Sequence, residues 1–220
     1  MSSAPATPIV IYGAGGHARE TALLIDAMIE AGTPWTLRGF LSDDAAQHGR
    51  DIDGRRVLGD HTLLEQQPGE FLVALGIGDG RTRHALVERT RASARGFPVL
   101  MHPSVPRCAR VSFGEGTQVH AGTILTVDAH VGAFVILNRR VDVSHDCVIG
   151  DFATLAPSVS LAGGVRIGVG AELGIRAACI PSVSVGDWAR IGAGAVVVRD
   201  IPGGETAVGV PARCLSSVSR

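Results

Sequence analysis

The sequence predicts an α/β domain followed by a parallel β solenoid, and three observations support this prediction. Residues 8–100 alternate strand-like and helix-like stretches, the pattern of βαβ units on a parallel sheet. From Phe113 onward an apolar residue recurs at every sixth position without interruption. Within that segment glycine also recurs every 18 positions, or three repeats. We therefore expect domains at residues 1–104 and 105–220.

The first half begins with a strand at residues 9–12, a glycine-rich turn and a helix. The turn reads Gly-Ala-Gly-Gly-His, and residues 18–31 carry apolar side chains at helical spacing. The later elements are predicted from the same patterns: strands at 37–41, 71–75 and 97–101, a helix at 81–94 and a loop at 49–59.

The second half consists of six-residue repeats. Fifteen successive first positions are apolar, and the fifth positions are only Ala, Val, Thr or Cys. Short strands with one bulky and one small inward residue stack into a continuous core. The glycines at the 18-residue spacing are Gly114, Gly132, Gly150, Gly168 and Gly186. We interpret them as one corner of a three-sided prism, where the backbone torsion excludes a side chain.

Composition limits the functions that this chain can have. A net charge of -1 gives no field for binding nucleic acid or an anionic membrane. No apolar run reaches the roughly 18 residues of a membrane span, and residues 1–8 lack the features of a secretory signal. The four cysteines show no metal-ligand spacing. We expect a soluble cytoplasmic protein without a metal.

The glycine-rich turn is a candidate phosphate-binding loop. Gly13-x-Gly15-x-x-Ala18 opens a helix, whose N-terminus favours phosphate oxygens. Asp43 and Asp44 follow the next strand, where a carboxylate can bind ribose. By itself the turn is compatible with NAD. However, the domain is about half of a full dinucleotide fold, which favours one nucleotide with its diphosphate. His17 either contacts a phosphate or sugar hydroxyl, or caps the helix.

The chain resembles the hexapeptide-repeat sugar O- and N-acetyltransferases with an N-terminal nucleotide-binding domain. The group includes sialic acid O-acetyltransferase-like proteins and enzymes acting on UDP- or GDP-linked 4-amino-4,6-dideoxy sugars. The resemblance rests on the sequences IVIYGAGGHA at 9–18, ALGIGDGRTR at 74–83 and ILNRRVDVSHDCVIGD at 136–151. It implies a Rossmann-like first domain, a left-handed parallel β-helix, a homotrimer, acetyl-CoA as co-substrate and a nucleotide-linked amino sugar as acceptor. The nucleotide-sugar site is then expected at Gly13, Gly15, Gly16, His17, Asp43, Asp44, Gly76, Asp79 and Arg81.

The resemblance also implies that His145 is the catalytic base. Imidazole titrates near neutrality, and the third position of a repeat lies at an outward turn. Asp146 is expected to orient the imidazole or to stabilise imidazolium, although a purely structural role is an alternative. Asn138 is a candidate contact for the substrate or acetyl-CoA, and Ile175 for acetyl-CoA.

The 18-residue period of the repeats places one more residue at this site. One 18-residue coil beyond His145 lies Gly163, which has no side chain to cover its N–H. We predict that this N–H forms the oxyanion hole, as the resemblance also implies. Some relatives carry a second histidine nine residues after the base, where this chain has Thr154.

Other functions remain as alternatives at this stage. The acceptor is expected to be a sugar C4 amine, with O-acetylation of a sialic acid-like sugar second. Some hexapeptide-repeat trimers bind zinc through three histidines and hydrate carbon dioxide, but His120, His130 and His145 are separated by ten and fifteen residues. A non-catalytic nucleotide-sugar-binding scaffold is the third alternative.

Overall fold

A computed structural model describes residues 6–215. They form two compact units that divide between Pro103 and Ser104. None of the helices within 6–215 is long and apolar enough to cross a membrane.

The first unit is a mainly parallel sheet with helices. Its helices are α1 (Gly16–Glu30), α2 (Thr62–Gln66) and α3 (Gly80–Thr90), and a 3₁₀ turn spans Ala45–Gln47. Its strands are β1 (Thr7–Tyr12), β2 (Trp35–Leu41), β3 (Asp51–Ile52), β4 (Arg55–Gly59), β5 (Leu72–Leu75) and β6 (Leu100–Met101). Five of these strands form the sheet, in the order β3-β4-β2-β1-β5, and β6 is not part of it. The apolar face of α1 packs on this sheet, with Ala18, Leu24 and Ile25 joining the core of Ile9 and Ile11.

Two details of the first unit differ from the sequence-based expectation. Residues 49–59 are not a loop, because β3 and β4 form an antiparallel hairpin and β4 adds to the sheet beside β2. Asp53 and Gly54 both have positive φ (51° and 80°), as the two central residues of a tight hairpin turn require. The strand expected at 97–101 is reduced to β6 and a single bridge from Gly96 to Leu72.

The second unit is a parallel β-helix of two-residue strands. Its repeat strands are β7 (Ser112–Phe113), β8 (Gln118–Val119), β9 (Ile124–Leu125), β10 (His130–Val131), β11 (Ile136–Leu137), β12 (Asp142–Val143), β13 (Val148–Ile149), β14 (Thr154–Leu155), β15 (Ser160–Leu161), β16 (Arg166–Ile167), β17 (Glu172–Leu173), β18 (Ala178–Cys179), β19 (Ser184–Val185), β20 (Arg190–Ile191) and β21 (Val196–Val197). β22 (Thr206–Val208) and β23 (Arg213–Cys214) form a closing antiparallel pair.

Each repeat strand pairs with the strand 18 residues away, which produces three faces. For example, Asp142 pairs with Ser160 and Val143 with Leu161. The first positions from Val119 to Val197 are at most 5% exposed and the fifth positions from Thr117 to Ala195 at most 6%. The predicted inward residues from Thr117 onward are therefore confirmed as the core, whereas Phe113, the first of the series, is only partly buried.

The corners of the prism have a regular torsion. In fourteen consecutive repeats, from Gly116 to Gly194, the fourth residue has φ between 56° and 73°. The glycines spaced by 18 residues stand at the second position instead, and Gly114, Gly132, Gly150, Gly168 and Gly186 have no positive φ. The torsional explanation for these glycines is wrong. Close approach of the next coil explains them, since a Cβ on Gly150 would lie 2.7 Å from the backbone nitrogen of Val169.

Candidate active site

His145 and Asp146 stand together at one exposed corner of the β-helix. They occupy the third and fourth positions of the repeat that begins at Val143 in β12, and Asp146 has φ 60° like other fourth residues. His145 Nδ1 lies 2.8 Å from Asp146 Oδ2, and the two side chains are 61% and 65% exposed. A carboxylate at Nδ1 fixes the proton there and leaves Nε2 as the acceptor nitrogen.

Gly163 lies directly on the next coil above His145. An added Cβ on Gly163 would lie 2.5 Å from His145 Nε2, closer than real Cβ contacts. The two coils are joined at this corner, because the Gly164 N–H donates to the His145 carbonyl at 2.8 Å. Only glycine therefore leaves room for the imidazole in this position.

The N–H groups of the third positions show where the Gly163 N–H is directed. At two other repeats, the N–H of Ala133 and of Val169 donates to an aspartate one coil further, at 2.7 and 2.8 Å. The residue one coil beyond Gly163 is Pro181, which offers no side-chain acceptor. Within residues 6–215 no backbone or side-chain acceptor is recorded for the Gly163 N–H. This donor is available to a bound ligand.

Asn138 and Ile175 belong to a different corner. They follow β11 and β17, which are two coils apart in one sheet. Asn138 Oδ1 accepts the Arg139 N–H at 2.8 Å, and Ile175 is 52% exposed. The β-helix thus groups His145, Asp146 and Gly163 at one corner and places Asn138 and Ile175 along the neighbouring one.

The first unit contains a separate cleft of ≈ 450 Å³. It is lined by Tyr12, Gly13, Ala14, Gly15, Gly16, His17, Ser42, Asp43, Asp44, Gly76, Ile77 and Gly78. The two glycine segments meet closely, since a Cβ on Gly13 would lie 2.7 Å from the Gly76 carbonyl oxygen. The cleft therefore lies at the carboxyl ends of β1, β2 and β5, where parallel sheets bind nucleotides.

Asp43 is held at the edge of this cleft by two side chains. The Tyr12 hydroxyl donates to one of its oxygens, and Arg89 Nη2 donates to the other at 2.6 Å. Burial favours a higher pKa for Asp43, but these two hydrogen bonds and the Arg89 charge outweigh it and lower the pKa. For Tyr12, burial and the hydrogen bond to Asp43 raise the pKa of the hydroxyl. Asp43 is thus an ionised acceptor at neutral pH.

Seven of the nine expected nucleotide-site residues line the cleft. Asp44 is one of them, and its Oδ1 also accepts a hydrogen bond from the Ala46 N–H at 3.0 Å. His17 lines the cleft too, and the N-cap residue of α1 is Gly15. Asp79 and Arg81 do not line it, and Asp79 instead caps α3 by accepting the Thr82 N–H at 2.8 Å.

Sequence reasoning missed Tyr12 and Arg89, which hold Asp43 at the edge of the cleft. Tyr12 ends β1, and its position beside the glycine turn was a usable indication. Arg89 is 77 residues from Tyr12, and its contact with the Tyr12 hydroxyl at 2.7 Å has no local sequence pattern.

Among residues 6–215 no group of three or more His, Cys, Asp or Glu side chains is placed to hold a metal ion.

Known proteins match both parts of the chain. Residues 8–90 match the PglD N-terminal domain. GDP-perosamine N-acetyltransferase of Escherichia coli O157:H7 is 30% identical over 166 residues, which cover 74% of this chain and 74% of that protein. The match is long enough to show common family membership.

Two solved structures are similar over almost the whole chain. The acetyltransferase domain of PglB from Neisseria gonorrhoeae FA1090, in complex with acetyl coenzyme A, has a TM-score of 0.88 and 32% identity, covering 96% of this chain and 100% of that one. PerB from Caulobacter crescentus, in complex with CoA and GDP-perosamine, has a TM-score of 0.84 and 35% identity, covering 94% and 96%. The expected Rossmann-like unit and left-handed parallel β-helix are confirmed. The chain belongs to the hexapeptide-repeat sugar acetyltransferases that carry a PglD N-terminal domain.

Proposed function

We propose that this enzyme transfers the acetyl group of acetyl-CoA to the 4-amino group of a nucleotide-linked 4-amino-4,6-dideoxy sugar. One observation carries the proposal: the His145–Asp146 pair lies directly beneath Gly163, whose N–H has no acceptor recorded within residues 6–215. A base and an oxyanion donor on adjacent coils are the two groups that acyl transfer needs.

The geometry assigns a role to each group in the reaction. The sugar amine attacks the thioester carbonyl and gives a proton to His145 Nε2. The Gly163 N–H donates to the oxyanion of the tetrahedral intermediate. Collapse of the intermediate breaks the C–S bond, and the imidazolium returns the proton to the CoA thiolate. Asp146 holds the imidazole by Nδ1 and stabilises the imidazolium.

A GDP-linked sugar is our first choice of acceptor. The relatives support it, since one is a GDP-perosamine N-acetyltransferase and PerB binds CoA together with GDP-perosamine. The cleft of the first unit supports a nucleotide in general, because its glycine segments and the α1 N-terminus suit a diphosphate and Asp43 suits a ribose hydroxyl.

We also propose that the enzyme is a homotrimer. The hexapeptide-repeat acetyltransferases that it resembles usually form trimers. The exposed isoleucines Ile124 (50%) and Ile180 (40%) support contact with another copy, because Ile124 lies in β9 and Ile180 directly follows β18, two strands of the face that contains β12. Measuring the solution mass by light scattering tests this state. We expect the enzyme in the cytoplasm, where acetyl-CoA is available.

The first test is CoA thiol release with a panel of acceptors. The panel contains GDP- and UDP-linked sugars with a 4-amino or a 4-hydroxyl group. We expect turnover with a 4-amino sugar and little with its hydroxyl counterpart. Turnover with hydroxyl acceptors only would replace N-acetylation by O-acetylation. Failure to release thiol with every acceptor would contradict the acetyltransferase activity.

The second test removes the base. His145→Asn should lower kcat by about 10²- to 10⁴-fold with little change in either KM, because it deletes proton transfer and leaves the binding surfaces. Asp146→Asn should lower kcat less. His130→Asn changes another exposed histidine of the β-helix and should keep full activity. A His145→Asn variant with normal turnover would show that His145 is not the base.

A further inference from the structure

Arg83 is a buried arginine that contacts the loop on one side of the nucleotide cleft. It lies in the first turn of α3 and is 1% exposed. Its Nη1 donates to the carbonyl oxygens of Ile77 (3.1 Å) and Gly78 (2.5 Å). Ile77 and Gly78 line the cleft, whereas Arg83 itself does not.

These hydrogen bonds determine which way the loop peptides face. A trans peptide is planar, with its C=O and N–H pointing in opposite directions. Since the carbonyls of Ile77 and Gly78 point at Arg83, the N–H groups of Gly78 and Asp79 point away from it. Successive N–H groups that face the same side form a site for anions.

The charges around the cleft indicate why an anion would depend on this loop. The lining residues include Asp43 and Asp44 but no arginine, and the chain contains no lysine. Arg89 contacts the lining residue Asp43. The Arg83 guanidinium stays protonated at any ordinary pH and lies in a low-dielectric interior, where its field is weakly screened.

We propose that Arg83 is a positioning residue for the diphosphate of the nucleotide sugar. It turns the N–H groups of the Gly76–Asp79 loop toward the cleft and supplies a positive charge behind them. The segment from Gly13 to Gly16, which leads into the N-terminus of α1, lines the same cleft. This inference rests on the proposed function, because it presumes a nucleoside diphosphate as part of the acceptor.

The test compares a nucleoside diphosphate with its nucleoside in direct binding to the full-length protein. The probes are GDP and guanosine, or UDP and uridine if the protein prefers uridine nucleotides, measured by calorimetry. Arg83→Met keeps the side-chain volume but removes the charge and the donors. We expect the Kd for the diphosphate to rise about 10- to 100-fold and the Kd for the nucleoside to change much less. KM for acetyl-CoA and kcat at saturation should stay near the wild-type values.

Two further variants make the result specific. Arg38→Met removes the same charge from the exposed surface of β2 and should bind like the wild type. Arg83→Lys keeps the charge without the two-carbonyl bridge and should raise the diphosphate Kd about 3- to 10-fold. If Arg83→Met does not fold, the diphosphate Kd of Arg83→Lys tests the role of Arg83 instead. An unchanged diphosphate Kd, or an equal loss for diphosphate and nucleoside, would overturn the role of Arg83.

Failure of the inference can be distinguished from failure of the proposed function. A wild-type protein that binds neither GDP nor UDP contradicts the nucleotide-sugar acceptor and, with it, the role of Arg83. A wild-type protein that binds the nucleotide and acetylates the sugar, together with folded Arg83 variants of equal affinity, contradicts the role of Arg83 alone.

Discussion

His145, the proposed base, lies on an exposed corner, and its position depends on two immediate neighbours. Asp146 holds Nδ1 at 2.8 Å, and Gly163 leaves the space that the ring occupies. Exposure of 61% means that the fold does not enclose this imidazole. The catalytic geometry is therefore sensitive to small changes at position 163 that cost the fold little.

Gly163→Ala tests this sensitivity. Its Cβ would lie 2.5 Å from Nε2, so the imidazole must rotate toward solvent. We expect kcat to fall about 100-fold, as displacement of a catalytic group by about 1 Å commonly does. The melting temperature should change by no more than about 2 °C, because the displaced ring is exposed and no core contact is lost. Wild-type kcat in a folded Gly163→Ala variant would contradict the stacking of Gly163 on the base.

Two kinds of site residue differ in how well the sequence predicts them. His145 and Gly163 could be placed together before the structure, because an unbroken repeat converts a separation of 18 into contact between neighbouring coils. No such rule relates Arg89 to Asp43 or Arg83 to Gly78. These contacts depend on how α3 packs beside the ends of β1, β2 and β5, which a single sequence leaves open.

At the scale of elements, the corners of the prism follow two separate rules. The fourth position takes a left-handed torsion whatever its residue, including the bulky Phe134, Phe152 and Trp188. The second position of one corner takes glycine because coils approach closely there. The first rule is absent from the amino-acid pattern, since Asp, Phe, Arg, Ser and Trp all occur. The second is visible as an 18-residue period, although its cause is steric contact rather than torsion.

Gly150→Ala should destabilise the β-helix. A Cβ would lie 2.7 Å from Val169 N and 2.8 Å from Gly168 C, which are backbone atoms of the next coil. Such overpacking costs about 1–3 kcal/mol of unfolding free energy. Gly194→Asn is the matched control, since nothing lies within 4 Å of its Cβ and asparagine tolerates its φ of 68°. Chemical denaturation measures both variants, and equal stability of Gly150→Ala and wild type would refute the steric explanation.

The hairpin of β3 and β4 is an element that hydrophobic patterning does not predict. Its strands are short and polar, so alternation of apolar residues is too weak to indicate them. The Asp53-Gly54 pair was the usable indication, because this dipeptide favours the tight turn found there. For this hairpin, turn chemistry carries more information than hydrophobic patterning.

For the whole molecule, the solenoid interior is a continuous apolar column, and its cysteines act as small apolar residues. Cys147 is 0% and Cys179 is 4% exposed. Burial raises the pKa of the Cys179 thiol to about 12 and also raises that of Cys147. Since the thiolate is the reactive form, both thiols stay protonated and inert at pH 8.

The four cysteines differ in burial, and thiol labelling of the native enzyme tests this difference. At pH 8 a maleimide should modify the half-buried Cys108 and Cys214 and leave Cys147 and Cys179 unmodified. All four should react after unfolding in guanidinium chloride. Peptide mass spectrometry identifies the labelled sites. Rapid native labelling of Cys147 or Cys179 would show that the column opens far more readily than its burial implies.

The pairing of residues 18 positions apart has a consequence for insertions and deletions. Loss of one residue within the repeats would turn each following inward side chain outward. Loss of six between His145 and Gly163 would preserve the inward positions but rotate everything downstream by one face, so His145 would lose Gly163 as its neighbour. Outside that interval, only a change of 18 residues preserves both the inward positions and the face on which each residue lies. The length of this unit can therefore vary by whole coils above or below the proposed active-site corner, while the interval from His145 to Gly163 has a single permitted value.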